Sequence, residues 1–172
     1  MAKKRILKKE ALVVIDIQND ITKNYKEIID RINLAMDRAV QKNMFVVYIK
    51  HNNLSAGTRT FKPDTKGAEL VPEMNVVSDY IFLKTKGNAL TSEAFADFIA
   101  KNKIGSFYIT GADATACVKS TCYNMKKAGY DVAVISDCIT SYDKRMIDEM
   151  LCYYEKQGCK IICLNDFLKQ TD

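Results

Sequence analysis

The sequence holds 172 residues, a length suited to one domain and long enough to bury roughly 70% of the surface its unfolded chain would expose. Hydrophobic residues make up 48% and charged residues 27%, with only 7 Gly and 2 Pro, which excludes a disordered, collagenous or low-complexity chain. The net charge of +5 comes from 26 basic and 21 acidic residues spread along the chain. Only Lys3, Lys4, Arg5, Lys8 and Lys9 cluster, as a basic tail over residues 1–9, and no aromatic-interleaved basic segment speaks for nucleic acid. No apolar run reaches the roughly 20 residues of a membrane span, and Asp16 interrupts the short apolar stretch near the N-terminus. No membrane association is therefore expected, the expected location is the cytoplasm, and the six Cys are expected as free thiols.

Short continuous apolar runs then alternate with stretches of helical spacing along the chain. Ala11 to Ile15 is a continuous branched run, as in a strand buried on both faces, and it stops at Asp16. Ile28, Ile29, Ile32, Ala35, Met36 and Ala39 recur at helical spacing between about Asn24 and Asn43, and Met44 to Ile49 reads as the second strand. Residues 52–78 hold both prolines and little periodicity, the mark of a long binding loop or lid. Tyr80 to Leu83 is a third strand ending at Lys84, followed by a helix from Thr91 to Lys101 capped by Thr91 or Ser92. Gly105 to Thr110, Tyr130 to Ser136 and Cys159 to Leu164 read as three further strands. Helices fill Thr115 to Ala128, stopped at Gly129, and Tyr142 to Gln157, stopped at Gly158, with a last turn near Phe167. The expectation is a single α/β domain over 1–172, three layers deep, with a six-stranded, mostly parallel, doubly wound sheet.

In such a sheet, ligands bind beyond the carboxyl ends of the strands. Asp16 ends strand one, Lys84 ends strand three, and strand four leads through Gly111 to Ala116 into Cys117 at the start of a helix. Taken singly, Asp16 reads as a cap or turn residue, Lys84 as a solvated lysine and Cys117 as packing. Together they place an acid, a cation and a thiol on one edge. A thiol at a helix N-terminus beside an ammonium is expected to ionise more easily, and the same N–H groups can receive an oxyanion.

The segments Leu12 to Asp20, Gly67 to Glu73, Phe82 to Leu90, Tyr108 to Thr121 and Gly129 to Asp137 carry a family pattern in order and spacing over nearly the whole chain. The sequence resembles the isochorismatase-like cysteine hydrolase superfamily, which includes nicotinamidases and N-carbamoylsarcosine amidase. The resemblance implies Asp16 as general acid/base, Cys117 as nucleophile, and Lys84 rather than Lys86 as the lysine of a catalytic triad, because Asn88-Ala89 follows at the family spacing. It also implies a cis peptide between Ala112 and Asp113, with the N–H groups of Asp113 and Cys117 forming an oxyanion hole. Gln18, Phe61 and Asn88 are candidate residues of the substrate pocket.

The expected activity is cofactor-independent hydrolysis of a C–N bond in a small amide or N-carbamoyl substrate, through a Cys117 thioester. A homo-oligomer, dimer or tetramer, is expected by the same analogy. Metal-dependent nicotinamidases carry an Asp-x-His pattern plus a further His, whereas His51 is the sole histidine here, so no metal site is expected and nicotinamidase is disfavoured. Relatives that cleave the vinyl ether of isochorismate lack the nucleophilic Cys, so Cys117 favours C–N chemistry. The competing readings are a thiol redox or sensor protein switching through Cys117 and Cys122, and a non-catalytic ligand-binding module. Against the latter, no G-x-G-x-x-G or G-x-x-x-x-G-K-[ST] follows any strand. The other five cysteines, Cys122, Cys138, Cys152, Cys159 and Cys163, are expected as small buried residues.

Overall fold

The computed structural model describes residues 8–22 and 24–170. Of the basic tail, Lys8 pairs with Asp131 at 2.9 Å and Lys9 already belongs to the first strand; residues 1–7 lie outside the described residues. Six strands, β1 (Lys9–Ile15), β2 (Phe45–His51), β3 (Ile81–Lys84), β4 (Ile104–Gly111), β5 (Asp131–Ile139) and β6 (Lys160–Ile162), form one sheet in the order β3-β2-β1-β4-β5-β6. Every pairing is parallel, so the sheet is wholly rather than mostly parallel. β1 lies at the centre, and its run Ala11 to Ile15 is buried on both faces, which is why that stretch is continuously apolar.

The helices are α1 (Asn19–Thr22), α2 (Ile29–Gln41), α3 (Glu93–Asn102), α4 (Cys117–Lys127), α5 (Ile147–Lys156) and α6 (Leu164–Lys169). The apolar face of α2, with Ile32, Ala35, Met36 and Ala39, packs with Phe167 of α6 against one side of the sheet. Phe95 and Ile99 of α3, Val118, Cys122 and Met125 of α4, and Met150 and Tyr154 of α5 cover the other side. Two apolar cores thus sandwich the sheet. Ser92 caps α3, accepting from the Phe95 N–H at 3.5 Å, and Gly129 takes φ +88° just after α4.

Several expected boundaries move. β2 runs two residues beyond Ile49, to His51, because its last residues pair in register with Leu83 and Lys84 of β3. The expected helix from Tyr142 breaks into a 3₁₀ turn, Lys144–Met146, and α5, because Ser141 and Tyr142 are tied to Asp113. Residues 52–78 are docked rather than loose. Gln18 and Leu70 form an antiparallel bridge, Val71 N–H donates to Ile17 O at 3.2 Å, and Val71 and Met74 are buried in the α2 core. Among the described residues, no helix is long and apolar enough to cross a membrane.

Candidate active site

The order of the strands reverses direction at β1, which has β2 on one side and β4 on the other, and the carboxyl ends of these strands meet there. Asp16 follows β1 directly in a left-handed conformation (φ +55°), one that Asp tolerates better than most residues. That turn carries its carboxylate back over the strand ends, where it is almost completely buried. Lys84, the last residue of β3, is also buried and reaches Asp16 Oδ2 at 3.0 Å and Cys117 Sγ at 3.3 Å. Cys117 opens α4, whose Ala116 N-cap offers no side-chain bond.

The loop before α4 is held hard in place. Gly111 takes φ +113°, and a Cβ there would lie 2.2 Å from Ile15 O, so only glycine lets β4 close on β1. Ala112 N–H donates to Ile15 O at 3.0 Å, Ala114 N–H to Thr140 O at 2.9 Å, and the Ala112–Asp113 peptide is cis. The Asp113 carboxylate accepts five bonds. Thr115 N–H and Oγ1 and Ser141 Oγ lie on Oδ1, and Tyr25 OH and Tyr142 N–H on Oδ2, at 2.8 to 2.9 Å. Among the described residues, neither the Asp113 nor the Cys117 N–H donates to a protein acceptor.

Electrostatics differ from the sequence expectation at the thiol. Burial, reinforced by the Asp16 charge, pushes Cys117 up to about 12, outweighing the lowering by Lys84. The free thiol therefore keeps its proton at neutral pH, against the expected easy ionisation. Burial also raises Asp16 above the usual carboxylate range, although Lys84 and Cys117 oppose it. Asp16 Oδ1 is buried without a hydrogen-bond partner. Burial works to raise Asp113 too, but its hydrogen bonds from Tyr142, Thr115, Ser141 and Tyr25 prevail and hold it low.

His51 joins this cluster, although sequence reasoning set it aside. Its Nδ1 lies 2.9 Å from Lys84 Nζ, and Asp16, His51 and Cys117 each place one donor atom within 4.8 Å of the others. Those three atoms could surround a cation, and the Lys84 ammonium already lies on all of them. The signal that could have found His51 was its place at the end of β2, had that strand been read two residues longer.

The candidate pocket residues fare unevenly. Phe61 (φ +55°) packs its ring T-shaped with His51, centroids 5.6 Å apart, its N–H donating to Asp20 Oδ2 at 2.6 Å. Gln18 is buried, with Nε2 donating to His51 O and Ala68 O and Oε1 accepting from His51 N–H. Asn88 caps a short 3₁₀ turn, Oδ1 accepting from Leu90 N–H at 2.9 Å. Both amides tie backbone because the loop path demands it. Cys122 and Cys159, both free thiols, hydrogen-bond to each other, which speaks against the competing reading of a switch between Cys117 and Cys122. Cys152 is exposed and Cys163 half-buried, unlike the buried thiols expected at those positions. A groove of about 950 Å³ at the opposite edge of the sheet, near Lys9, Lys42 and Lys169, gathers neither thiol nor imidazole.

A family model described as the isochorismatase domain matches residues 10–166. An uncharacterised isochorismatase family protein of Bacillus subtilis, YrdC, is 25% identical over 156 residues, covering 86% of this chain and 81% of that protein. The pyrazinamidase of Pyrococcus horikoshii, solved in complex with zinc, superposes with a TM-score of 0.81 at 23% identity, over 90% of this chain and 99% of that one. N-carbamoylsarcosine amidase from Thermoplasma acidophilum gives 0.80 at 19% identity, over 91% and 97% of the two chains. Those two likenesses are of fold, and the domain match spans all six strands; the chain belongs to the isochorismatase family of hydrolases.

Proposed function

We propose that this chain is a cofactor-independent cysteine hydrolase that cleaves a C–N bond of a small amide or N-carbamoyl compound through a thioester on Cys117. The observation that carries the reading is one ammonium, Lys84 Nζ, shared between Cys117 Sγ at 3.3 Å and Asp16 Oδ2 at 3.0 Å, beside the unpartnered Asp16 Oδ1. Asp16 takes the thiol proton on Oδ1, and Cys117 sulfur attacks the carbonyl carbon. Both groups are raised, so they compete for one proton, and Lys84 steadies whichever is anionic. The Asp113 and Cys117 N–H groups receive the oxyanion, a term worth about 3 kcal/mol per donor in other acyl-transfer enzymes. Asp16 returns the proton to the departing amine. Water, deprotonated by Asp16, then attacks the thioester, releases the acid and restores the thiol. The partner in this reading is a small molecule, not nucleic acid or a membrane. The cytoplasmic location and the dimeric or tetrameric assembly implied by the resemblance belong to the same proposal.

Ammonia release across a panel of primary amides and N-carbamoyl amino acids tests it. Turnover of at least one member is expected, with an acyl adduct on Cys117 after acid quench and a loss of at least ~10³-fold in Cys117→Ala. Turnover that survives Cys117→Ala unchanged would sink the reading.

A further inference from the structure

An ammonium has three hydrogens, and three acceptors stand around that of Lys84: Asp16 Oδ2 at 3.0 Å, His51 Nδ1 at 2.9 Å and Cys117 Sγ at 3.3 Å. The imidazole is the one the proposed reaction does not use. It is also heavily fixed. His51 and Lys84 are register partners at the ends of β2 and β3, the Gln18 side chain holds both the N–H and the C=O of His51, and the Phe61 ring packs T-shaped with the imidazole.

We propose that His51 is a positioning residue: uncharged, with its proton on Nε2, it accepts one Lys84 hydrogen at Nδ1 and so aims the other two at Asp16 and Cys117. The inference rests on the hydrolase reading above and deepens it by stating the condition under which that site works. The tautomer follows from the network, since Nδ1 facing an ammonium must accept, which leaves the proton of the neutral ring on Nε2.

The charged and titratable groups facing His51 are Lys84 from β3, Asp16 from the end of β1 and Cys117 from α4. Protonation of Nδ1 would set two cations 2.9 Å apart. Burial first, then Lys84, hold His51 below 6.5, although Asp16 and the Lys86 backbone pull the other way. With the backbone of His51 clamped by Gln18, the mobile partner is the long Lys84 chain. Acidification through the His51 pKa therefore pulls the ammonium off the Cys117 sulfur, and nucleophilicity falls.

His51 is the only histidine in the sequence, so a histidine-selective ¹⁵N NMR titration reads it alone. The Nε2-protonated tautomer with a pKa below 6.5 is expected; an Nδ1-protonated ring at neutral pH overturns the proposal. Iodoacetamide alkylation of Cys117 against pH is the second readout. In the unmodified chain, log rate should rise with unit slope above the His51 pKa and more steeply below it. His51→Leu should be slower by roughly tenfold at neutral pH, the loss of one charge-assisted hydrogen bond. His51→Asn, which returns an acceptor near the Nδ1 position, should recover most of that loss and give a straight unit slope. A wild-type profile in His51→Leu overturns the positioning role. Lys84→Ala separates the two readings. If it slows alkylation while His51→Leu does not, only the His51 role fails; if it leaves the rate unchanged, the hydrolase assignment fails with it.

Discussion

Asp113 is the residue on which the loop before the thiol hangs. Its two oxygens collect donors from α4's approach (Thr115), from the end of β5 (Ser141, Tyr142) and from the chain before α2 (Tyr25). Asp113→Asn keeps the shape but replaces one acceptor oxygen with an amide donor, so about 2 kcal/mol of stability should be lost at pH 7. The sign of its pH dependence follows from a folded pKa held below 3.8. Such a carboxylate stabilises the fold above its unfolded pKa, and the contribution is lost as pH falls through the lower, folded value. The gap in urea midpoint between the parent chain and Asp113→Asn should therefore shrink between pH 5 and pH 3. A gap that is constant over that range would mean the five bonds do not depend on its charge. The residue-scale reading of the sequence placed Asp16, Lys84 and Cys117 correctly at their strand and helix ends, because those positions follow from strand direction alone. It did not foresee that the Gln18 and Asn88 amides bond to backbone, because the direction of a loop side chain depends on contacts with distant segments. Asp113 was expected to contribute its N–H; its carboxylate's role in anchoring the loop left no local signal.

At the scale of elements, the join between β1 and β4 sets the geometry of the whole edge. β4 pairs with β1 from Ile104 to Gly111, and the chain must then turn within one residue to deliver Cys117 above Asp16. Gly111 makes that turn against the Ile15 backbone, which cannot yield as a flexible side chain would. Gly111→Ala combines a disfavoured positive φ with a backbone clash, and on the order of 3 kcal/mol should be lost. Thermal denaturation measures that loss, and a near-native midpoint would show that the β4 end can shift without harm. Gly111→Ala should also slow Cys117 alkylation, since any shift of the β4 end moves α4. The strands and helices were legible as elements because short continuous apolar runs alternate with stretches of helical spacing. The segment from Gly67 to Met74 was not, since its docking depends on an antiparallel bridge to Gln18 some fifty residues away in sequence. The length of β2 was missed for a related reason: Lys50 and His51 are polar, and only pairing with β3 keeps them in the sheet.

At the scale of the molecule, the site draws its parts from regions of unequal stability. β1 is hydrogen-bonded on both sides along its length, and both faces are covered by apolar cores. β3 is an edge strand of four residues, paired on one side only, with Ile81 and Leu83 left 42% and 52% exposed. Opening free energies range from near zero at frayed edges to the global value in central strands, so Lys84 rides on an element that opens more easily than those carrying Asp16 and Cys117. Local opening of β3 takes the ammonium away and leaves the carboxylate and the protonated thiol in place, a state unable to steady a thiolate. Amide hydrogen exchange followed by mass spectrometry should find β1 and β4 slowest, and β3 and the three-residue β6 fastest among the strands. Covalent acylation or alkylation of Cys117 should leave β1 unchanged but alter protection at β3, because the group added to the sulfur displaces the Lys84 ammonium that lies 3.3 Å from it. Exchange in β3 as slow as in β1, in both states, would mean that the lysine is held as rigidly as the rest of the site and that this edge does not limit its reactivity.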